Sequence, residues 1–370
     1  MGRPGGKLKA LFKTIVAAAN VVLAVFTVFS AYGGMINPAD TSIGAIAAML
    51  FPAALSVTVV FAVFTLLWSW KISFANILVI IVCWGPVMTI CPFNFFRPDP
   101  ASVAENGGEV LKVVTFNTYG LDDVDPDTLR DYNRSLKFMI DADADILLCQ
   151  ELYVEYLSDA KGVTEAQKEE LYKVYPYRNL DGRGMCIFSK YPFTKVPLHY
   201  TDSYKFDVCR YDVEVAGRTV HVFNLHLQSI GLTPSDKRLY RHITEGDTPE
   251  DLSEIRHDLL GKLSVAFCER AKQAEVVRSA VDDVTGDVIV AGDFNDIPGC
   301  YASRVIASDD LTDVYRSAGF GPQITYHADR FYFRIDQMYC RGALRPLRAR
   351  CGGTDSSDHY PLTAWFEIEK

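Results

Sequence analysis

Five short stretches each close an apolar run with residues able to hold a metal ion or a phosphate. In chain order they are Val113-Val114-Thr115-Phe116-Asn117, Leu147-Leu148-Cys149-Gln150-Glu151, Phe223-Asn224-Leu225-His226-Leu227, Ile289-Val290-Ala291-Gly292-Asp293-Phe294-Asn295 and Ser357-Asp358-His359-Tyr360-Pro361. Arg334-Ile335-Asp336 precedes the last. Singly, each has an ordinary explanation. An Asn ending a strand is a common turn former, a Glu after a buried run is a return to solvent, and a His between two leucines is a partly buried side chain bonded to its neighbours. All five in order, each at the end of a run, are poorly explained that way. The oxygens of Asn117, Glu151, Asp293, Asn295 and Asp358 suit a hard cation such as Mg²⁺ or Mn²⁺. Such an ion neutralises charge on a phosphoryl group and lowers the pKa of bound water. His359 with Asp336 as its orienting acid is a general-base pattern. His226 can donate to a non-bridging phosphate oxygen as charge builds there. Together these residues imply hydrolysis of phosphate esters.

The elements that must position them alternate between strands and helices. Strand-like runs are Leu111–Phe116, Ile146–Cys149, Met185–Ser189, Phe206–Val215, Thr219–His226, Val288–Ala291, Phe331–Cys340 and Leu362–Ile368, with a hairpin signal at Ala216-Gly217-Arg218. Helical patterns cover about Asp127–Asp141, Thr164–Val174, Pro249–Val281 and Tyr301–Ala307. This alternation suits an α+β architecture, two sheets flanked by helices. The stretch Gln228–Arg270 is long and charged, and it begins two residues after His226. Lys237, Arg238 and Arg241 cluster near its start. It reads either as a solvated insertion or as a substrate-selecting loop beside the phosphate.

With these motifs in hand, the sequence resembles the endonuclease/exonuclease/phosphatase superfamily over about Val110–Ile368. Asn117, Gln150-Glu151, Asn224-x-His226, Gly292-Asp293-x-Asn295, Arg334-Ile335-Asp336 and Ser357-Asp358-His359 carry the resemblance. Gly184 to Pro192 looks like a family strand, and Arg270 with Gln273 like its helix motif. The resemblance implies a four-layer αββα sandwich with the site at the sheet edges. It implies Glu151 as main metal ligand with Asn117 and Asp358 close by, and Asp293 orienting the water, held by Asn295. It further implies His359 with Asp336 as base or transition-state donor, and His226 on the phosphate. In some family nucleases another acid backs the histidine matching His226; the sequence alone does not place one here.

The first hundred residues are of another kind. Three apolar stretches, about 14–32, 44–68 and 72–93, contain no charged residue except at their edges, and each is about long enough to cross a bilayer as a helix. Arg3, Lys7, Lys9 and Lys13 precede the first, Lys71 separates the second and third, and Gly33–Ile43 has neither Lys nor Arg. The positive-inside rule then places the N-terminus in the cytoplasm and everything after about residue 94 outside. Reading the first stretch as a cleaved leader leaves that placement unchanged. The expected organisation is a transmembrane module (1–95), a Pro- and Gly-bearing linker (96–108) and a catalytic domain (109–370), acting as a monomer. Residues 101–370 hold 31 basic and 44 acidic residues, a net charge of −13. That field disfavours loose binding of polyanions, so a lipid head group is expected ahead of nucleic acid, although nucleases use the same motifs. The nine cysteines include no C-x-x-C pair, which argues against a zinc site. A receptor or scaffold that keeps the fold without turnover is the competing reading from another class.

Overall fold

The computed structural model describes residues 4–124, 132–158, 161–180, 183–198, 207–231, 233, 252–328 and 332–369. The chain divides into two compact units, one made of residues 1–90 with 299–301, the other of 91–298 with 302–370.

The first unit is helical: α1 (Pro4–Tyr32), α2 (Ile43–Met49), α3 (Phe51–Leu66), α4 (Trp70–Val82) and α5 (Trp84–Ile90). One apolar stretch, Ala10–Met35, is long and apolar enough to cross a membrane. The second and third expected spans are bent pairs, α2 with α3 at 54° and α4 with α5 at 71°; each counts as a span only if the pair is taken together. The breaks have a local cause. Pro52 and Pro86 cannot donate a backbone hydrogen bond, and their rings crowd the carbonyls of Ala48 and Val82. The Val82 carbonyl instead accepts the Tyr32 hydroxyl at 2.6 Å. A buried Thr27–Thr58 hydroxyl pair at 2.8 Å ties α1 to α3, while large apolar side chains such as Val22 and Leu67 face outward.

The second unit is an α+β sandwich. After α6 (Pro100–Glu105), one sheet is ordered β11-β12-β1-β2-β4-β3 and the other β5-β6-β7-β8-β10-β9. The strands of the first are β1 Glu109–Asn117, β2 Ile146–Gln150, β3 Tyr177–Leu180, β4 Cys186–Ser189, β11 Leu344–Cys351 and β12 Leu362–Ile368. Those of the second are β5 Phe193–Val196, β6 Asp207–Val215, β7 Arg218–His226, β8 Asp287–Asp293, β9 Thr312–Asp313 and β10 Asp336–Arg341. Helices α7 (Arg134–Asp141) and α8 (Glu165–Val174) cover the first sheet; α9 (Leu252–Asp282) and α10 (Tyr301–Ala307) cover the second. A short α11 (Val314–Ala318) follows β9.

Period-two alternation sorts the side chains into layers. Leu111, Val113, Ile146 and Leu148 meet Val220, Val222, Ile289, Ala291 and Met338 between the sheets. Their neighbours Val114, Phe116 and Leu147 pack on α7 and α8, and Phe223, Leu225, Val288 and Val290 on α9 and α10. Fully burying such a side chain contributes roughly 1.5–3 kcal/mol, so a one-residue slip in any of these strands is costly.

Several boundaries differ from the sequence reading. The stretch 96–108 is not a free linker. The second compact unit begins at Cys91, and the stretch carries α6. Nearby, Asn94 Nδ2 donates to the carbonyls of Arg316 (2.9 Å) and Gly319 (2.8 Å). Of the run Phe331–Cys340, Phe331 lies outside the described residues, and the described strand begins at Asp336. Strands β3, β5, β9 and β11 were not expected; β11 alternates buried Leu344, Leu347 and Ala349 with exposed arginines and a proline, which hides its period.

Candidate active site

The inner face of the sandwich stays apolar until its last positions, and there it turns polar. Asn117 continues the inward row of Leu111 and Val113, and Gln150 that of Ile146 and Leu148. In the second sheet Asn224 and His226 continue Val220 and Val222, and Asp293 continues Ile289 and Ala291. Each sheet contains one parallel pair, and both end on these residues: Asn117 lies opposite Gln150, and His226 opposite Asp293. Asp336 opens β10 directly opposite Asp293. His226, Asp293 and Asp336 therefore stand in one row across three strands.

A buried clasp joins the two strand ends. Gln150 Nε2 donates to Asn224 Oδ1 at 2.6 Å and to Thr115 Oγ1 at 3.0 Å. Asn224 Nδ2 in turn donates to the carbonyls of Cys149 and Cys186, both at 3.1 Å. Glu151 would follow the outward period, but its backbone is left-handed (φ 56°). That conformation costs a non-glycine residue about 1–3 kcal/mol and is typical of functional sites. It brings the carboxylate to the site, where Asn117 Nδ2 donates to Glu151 Oε1 (3.0 Å) and to Asp293 Oδ2 (3.1 Å). Asn117 Oδ1 accepts the Tyr119 N–H at 3.1 Å, so Asn117 stands here as a tie between two carboxylates rather than as an oxygen turned toward them.

Asp293 is almost wholly enclosed. Its Oδ1 accepts the Asn295 N–H at 2.8 Å, and Asn295 Nδ2 lies 3.3 Å from Oδ2 and 3.0 Å from the Leu227 carbonyl. Asn295 manages both contacts because it too is left-handed (φ 49°). Gly292, with φ 147°, is obligatory: a Cβ there would lie 2.0 Å from the Leu225 carbonyl oxygen. On α9, Arg270 and Gln273 secure the same turns. Arg270 reaches Asp296 (3.3 Å) and the Gln228 carbonyl (2.9 Å), and Gln273 accepts the Gln228 N–H at 2.8 Å.

His226 Nε2 lies 3.6 Å from Glu151 Oε1 and 3.7 Å from Asp293 Oδ2. On the other side, His359 Nδ1 is 2.8 Å from Asp336 Oδ2, and its Nε2 is 3.8 Å from Asp293 Oδ2 and 4.0 Å from Asp358 Oδ1. Burial opposes charging of the His359 ring, but Asp336 and Asp293 outweigh it and push its pKa up to about 10. Burial also raises Asp293, with Asp336 adding to it and the two histidines opposing. A ring held charged donates protons, so His359 in this state suits stabilising charge on a phosphoryl oxygen or on a leaving oxygen.

Lys237, Arg238 and Arg241 lie outside the described residues. Three contributors escaped the sequence reading. Thr325 Oγ1 accepts the backbone N–H groups of Ile335 and Asp336, each at 2.9 Å. The Tyr326 ring meets His359 edge-on at 5.0 Å. Asp207, on β6, is the residue directly opposite His226, a position whose Cβ lies about 4.5–5.5 Å away. Thr325 and Tyr326 lie outside the strand-like runs and are revealed by their contacts, whereas Asp207 lies within one and is revealed by its register opposite His226.

The side chains gathered here suit a divalent cation. Four carboxylates (Glu151, Asp293, Asp336, Asp358) face two histidines at these distances, and one oxygen of the buried Asp336 has no hydrogen-bond partner. Asp293, Asp336 and His359 present ligand atoms within 4.8 Å of one another. Within this trio His359 Nδ1 and Asp336 Oδ2 are 2.8 Å apart. Glu151 is the acid with an open side, its side chain 34% exposed against 1% for Asp293. An acidic excess with one accessible carboxylate fits a hard cation.

A sequence profile of the endonuclease/exonuclease/phosphatase family matches residues 114–359, about two thirds of the chain. The chain belongs to this family. Members of the family are hydrolases of phosphoester bonds and are generally dependent on divalent metals. A second profile, described as a domain of unknown function, matches residues 13–90. A search of curated proteins finds no match. Among solved structures, the chain is similar to an endonuclease/exonuclease/phosphatase from Beutenbergia cavernae, with 19% identity, TM-score 0.46, and coverage of 70% of this chain and 72% of that one. It is similar also to TDP2 of D. rerio complexed with a single-strand DNA product (17% identity, TM-score 0.46, covering 70% and 99%). A third is beta toxin of Staphylococcus aureus (16% identity, TM-score 0.40, covering 69% and 99%). The profile, not these likenesses, fixes the family.

Proposed function

We propose that the chain is a membrane-anchored, divalent-metal-dependent phosphoesterase, its catalytic unit on the extracytoplasmic side, acting on a phosphoester at the membrane such as a lipid head group. One observation carries the hydrolytic reading: the ends of both parallel strand pairs bring Glu151, Asp293, His226 and the His359–Asp336 pair to one place. Glu151, with Asp358 and Asn117 nearby, would hold the cation, which when bound neutralises phosphoryl charge and acidifies a water. Asp293 accepts hydrogen bonds on both oxygens and is fixed to orient the attacking water. His226 and His359 flank it as donors to the phosphate and the leaving oxygen. The apolar helix Ala10–Met35 supports the anchor, and the basic residues before it support the orientation. The net charge of −13 over residues 101–370 favours a head group, which presents one phosphate at a time, over a long polyanion.

The test uses the purified full chain with Mg²⁺ or Mn²⁺ on three substrates: bis(p-nitrophenyl) phosphate, phospholipid vesicles and plasmid DNA. Metal-dependent p-nitrophenol release is expected, with vesicles cleaved faster than plasmid. Faster plasmid cleavage would make the chain a tethered nuclease, and no hydrolysis of any substrate would favour the receptor reading. A phosphatase reporter fused after Pro100 is expected to be active only through export; a protease-protected catalytic unit in spheroplasts would refute the orientation.

A further inference from the structure

Three exposed phenylalanines of the second unit stand together, and a fourth follows one of them directly in the chain. Phe96 is fully exposed, Phe95 69%, Phe320 43% and Phe93 42%. Phe93 and Phe95 stack at 6.5 Å, and Phe95 meets Phe320 edge-on at 5.1 Å. An apolar cluster of this kind on a surface marks a contact site. It is firmly held. Phe93 and Phe320 form a β-bridge, the Gly321 N–H donates to the Pro92 carbonyl at 2.8 Å, and Asn94 caps the carbonyls that end α11. Arg97 reaches the Ala318 carbonyl and lies over the Phe320 ring at 5.9 Å. The structure thus fixes these rings outward instead of letting them fold onto the core.

We propose that this aromatic cluster is the surface by which the catalytic unit rests on the lipid bilayer, its rings seated at the head-group boundary. The proposal rests on the membrane-anchored reading above and adds to it a defined contact face. Chain continuity selects the lipid as occupant. Phe93 follows Ile90, the last residue of α5, by three positions. At about 3.3–3.6 Å per residue it lies within roughly 11 Å of that helix end, and a head-group zone is about 5–8 Å deep on each side of the hydrocarbon. Rings tethered at that depth sit where amphipathic aromatics are favoured. Charge agrees with this: Arg97 lies over the Phe320 ring and within the electrostatic reach of Arg348, on a unit that is otherwise acidic. The face also connects to the chemistry. Five residues after Phe320, Thr325 holds the backbone of Asp336, and Tyr326 abuts His359.

The test places a reporter on the most exposed ring. The full chain carrying Phe96→Trp is reconstituted in phosphatidylcholine/phosphatidylglycerol vesicles, with and without lipids brominated near the glycerol. The four native tryptophans are common to the parent chain, so the difference in emission reports position 96. Blue-shifted difference emission, quenched by about half or more in the brominated vesicles, is expected. Unquenched difference emission at the wavelength of water-exposed tryptophan would overturn the proposal. So would quenching-free emission with concentration-dependent crosslinking at position 96, which would assign the face to a second copy. The Phe95→Ser/Phe96→Ser chain is expected to keep its thermal midpoint and to hydrolyse bis(p-nitrophenyl) phosphate as the parent does. Alkaline carbonate extraction of the parent separates the two readings: retention with no quenching rejects the contact face alone. Release rejects the anchor, and quenching then still decides the face.

Discussion

The Gln150–Asn224 clasp offers the sharpest perturbation of the architecture. Asn224→Leu keeps the branched shape and leaves no cavity, although the bulkier methyl groups add some overpacking. What it removes can be counted. The second donor to the carbonyls of Cys149 and Cys186 disappears, and so does the 2.6 Å acceptor of Gln150 Nε2. Both carbonyls lie in the β2–β4 ladder, where Cys149 stands opposite Cys186, and Gln150 retains Thr115 at 3.0 Å, so none of these groups is left without a partner. Three lost hydrogen bonds at about 0.5–1.5 kcal/mol each give about 1.5–4.5 kcal/mol. For a unit of this size that corresponds to a fall in thermal midpoint of very roughly 3–18 °C. The assay is thermal unfolding of the full chain in detergent, followed by circular dichroism, for Asn224→Leu, Gln150→Leu and the double variant. The double variant is expected to lose less than the sum of the singles by about 0.5–1.5 kcal/mol, because each single already removes the bond the two residues share. A loss below about 1 kcal/mol for Asn224→Leu, or strict additivity, would refute the claim that this pair clasps the two sheets.

Other outcomes follow from the same geometry. Glu151→Gln is expected to lower turnover by roughly 10²-fold or more and to shift the Mg²⁺ titration to higher concentration; chelation should abolish parent activity, and an unchanged titration would remove Glu151 from the metal site. His359→Ala is expected to cost about 10²–10⁴ in turnover, checked with bis(p-nitrophenyl) phosphate; near-parent rates would reject its role. Gly292→Ala should destabilise by about 2–5 kcal/mol through left-handed strain and overlap with the Leu225 carbonyl, with an unaltered unfolding midpoint counting against it. Away from the site, burial works against the Asp212 carboxylate, but Arg210 and His221 outweigh it and lower its pKa below the ordinary 3.8. A depressed carboxylate stabilises the fold above its ordinary pKa and loses that contribution as pH falls through the folded value. The unfolding midpoints of parent and Asp212→Asn should therefore converge on acidification; a constant gap down to acid pH would contradict this.

Much of the site was legible because a strand shows its inner face through alternate residues. Asn117, Gln150, Asn224, His226 and Asp293 each extend an apolar row by one or two positions, so the sequence states both their chemistry and their side of the sheet. The family resemblance supplied what periodicity lacked, chiefly the place of Ser357-Asp358-His359 in a loop. Glu151 was identified for its type, but nothing local announced the left-handed backbone that turns it inward. Thr325 and Tyr326 act through tertiary position alone, and Asp207 begins a strand whose pairing with β7 the sequence does not state. The prolines at 52 and 86 were visible, yet long apolar runs mask a bend, because every residue in them is equally suited to an apolar surrounding. The short helix within 96–108 was hidden for a related reason. Pro98, Pro100, Gly107 and Gly108 suggest an unstructured connection, whereas Asn94, Arg97 and Phe320 fasten the segment just before them to the sandwich.

The placement of the chemistry follows from what the core allows. Between Asp287, which opens β8 paired with Arg218 at 2.7 Å, and Asp293, a carboxylate on this face would displace Ala291 or Ile289, both fully buried between the sheets, where an unpaired charge is prohibitively expensive. The last inner position is the first at which an acid can meet partners from both sheets, and Asp293 meets Asn117 from one and Asn295 from its own turn. The parallel pairs make the two edges coincide. Because β1 with β2 and β7 with β8 finish in register, four strand ends deliver their polar residues at one level, and the antiparallel β10 adds Asp336 at its start. Three of the residues with positive φ, Glu151, Gly292 and Asn295, lie where the chain must leave the pleat to complete the site. A sandwich with regular backbone at all three would have the same layers and the same core. Its Glu151 would point away from His226, and its Asp293 would lack the Asn295 bonds that fix it.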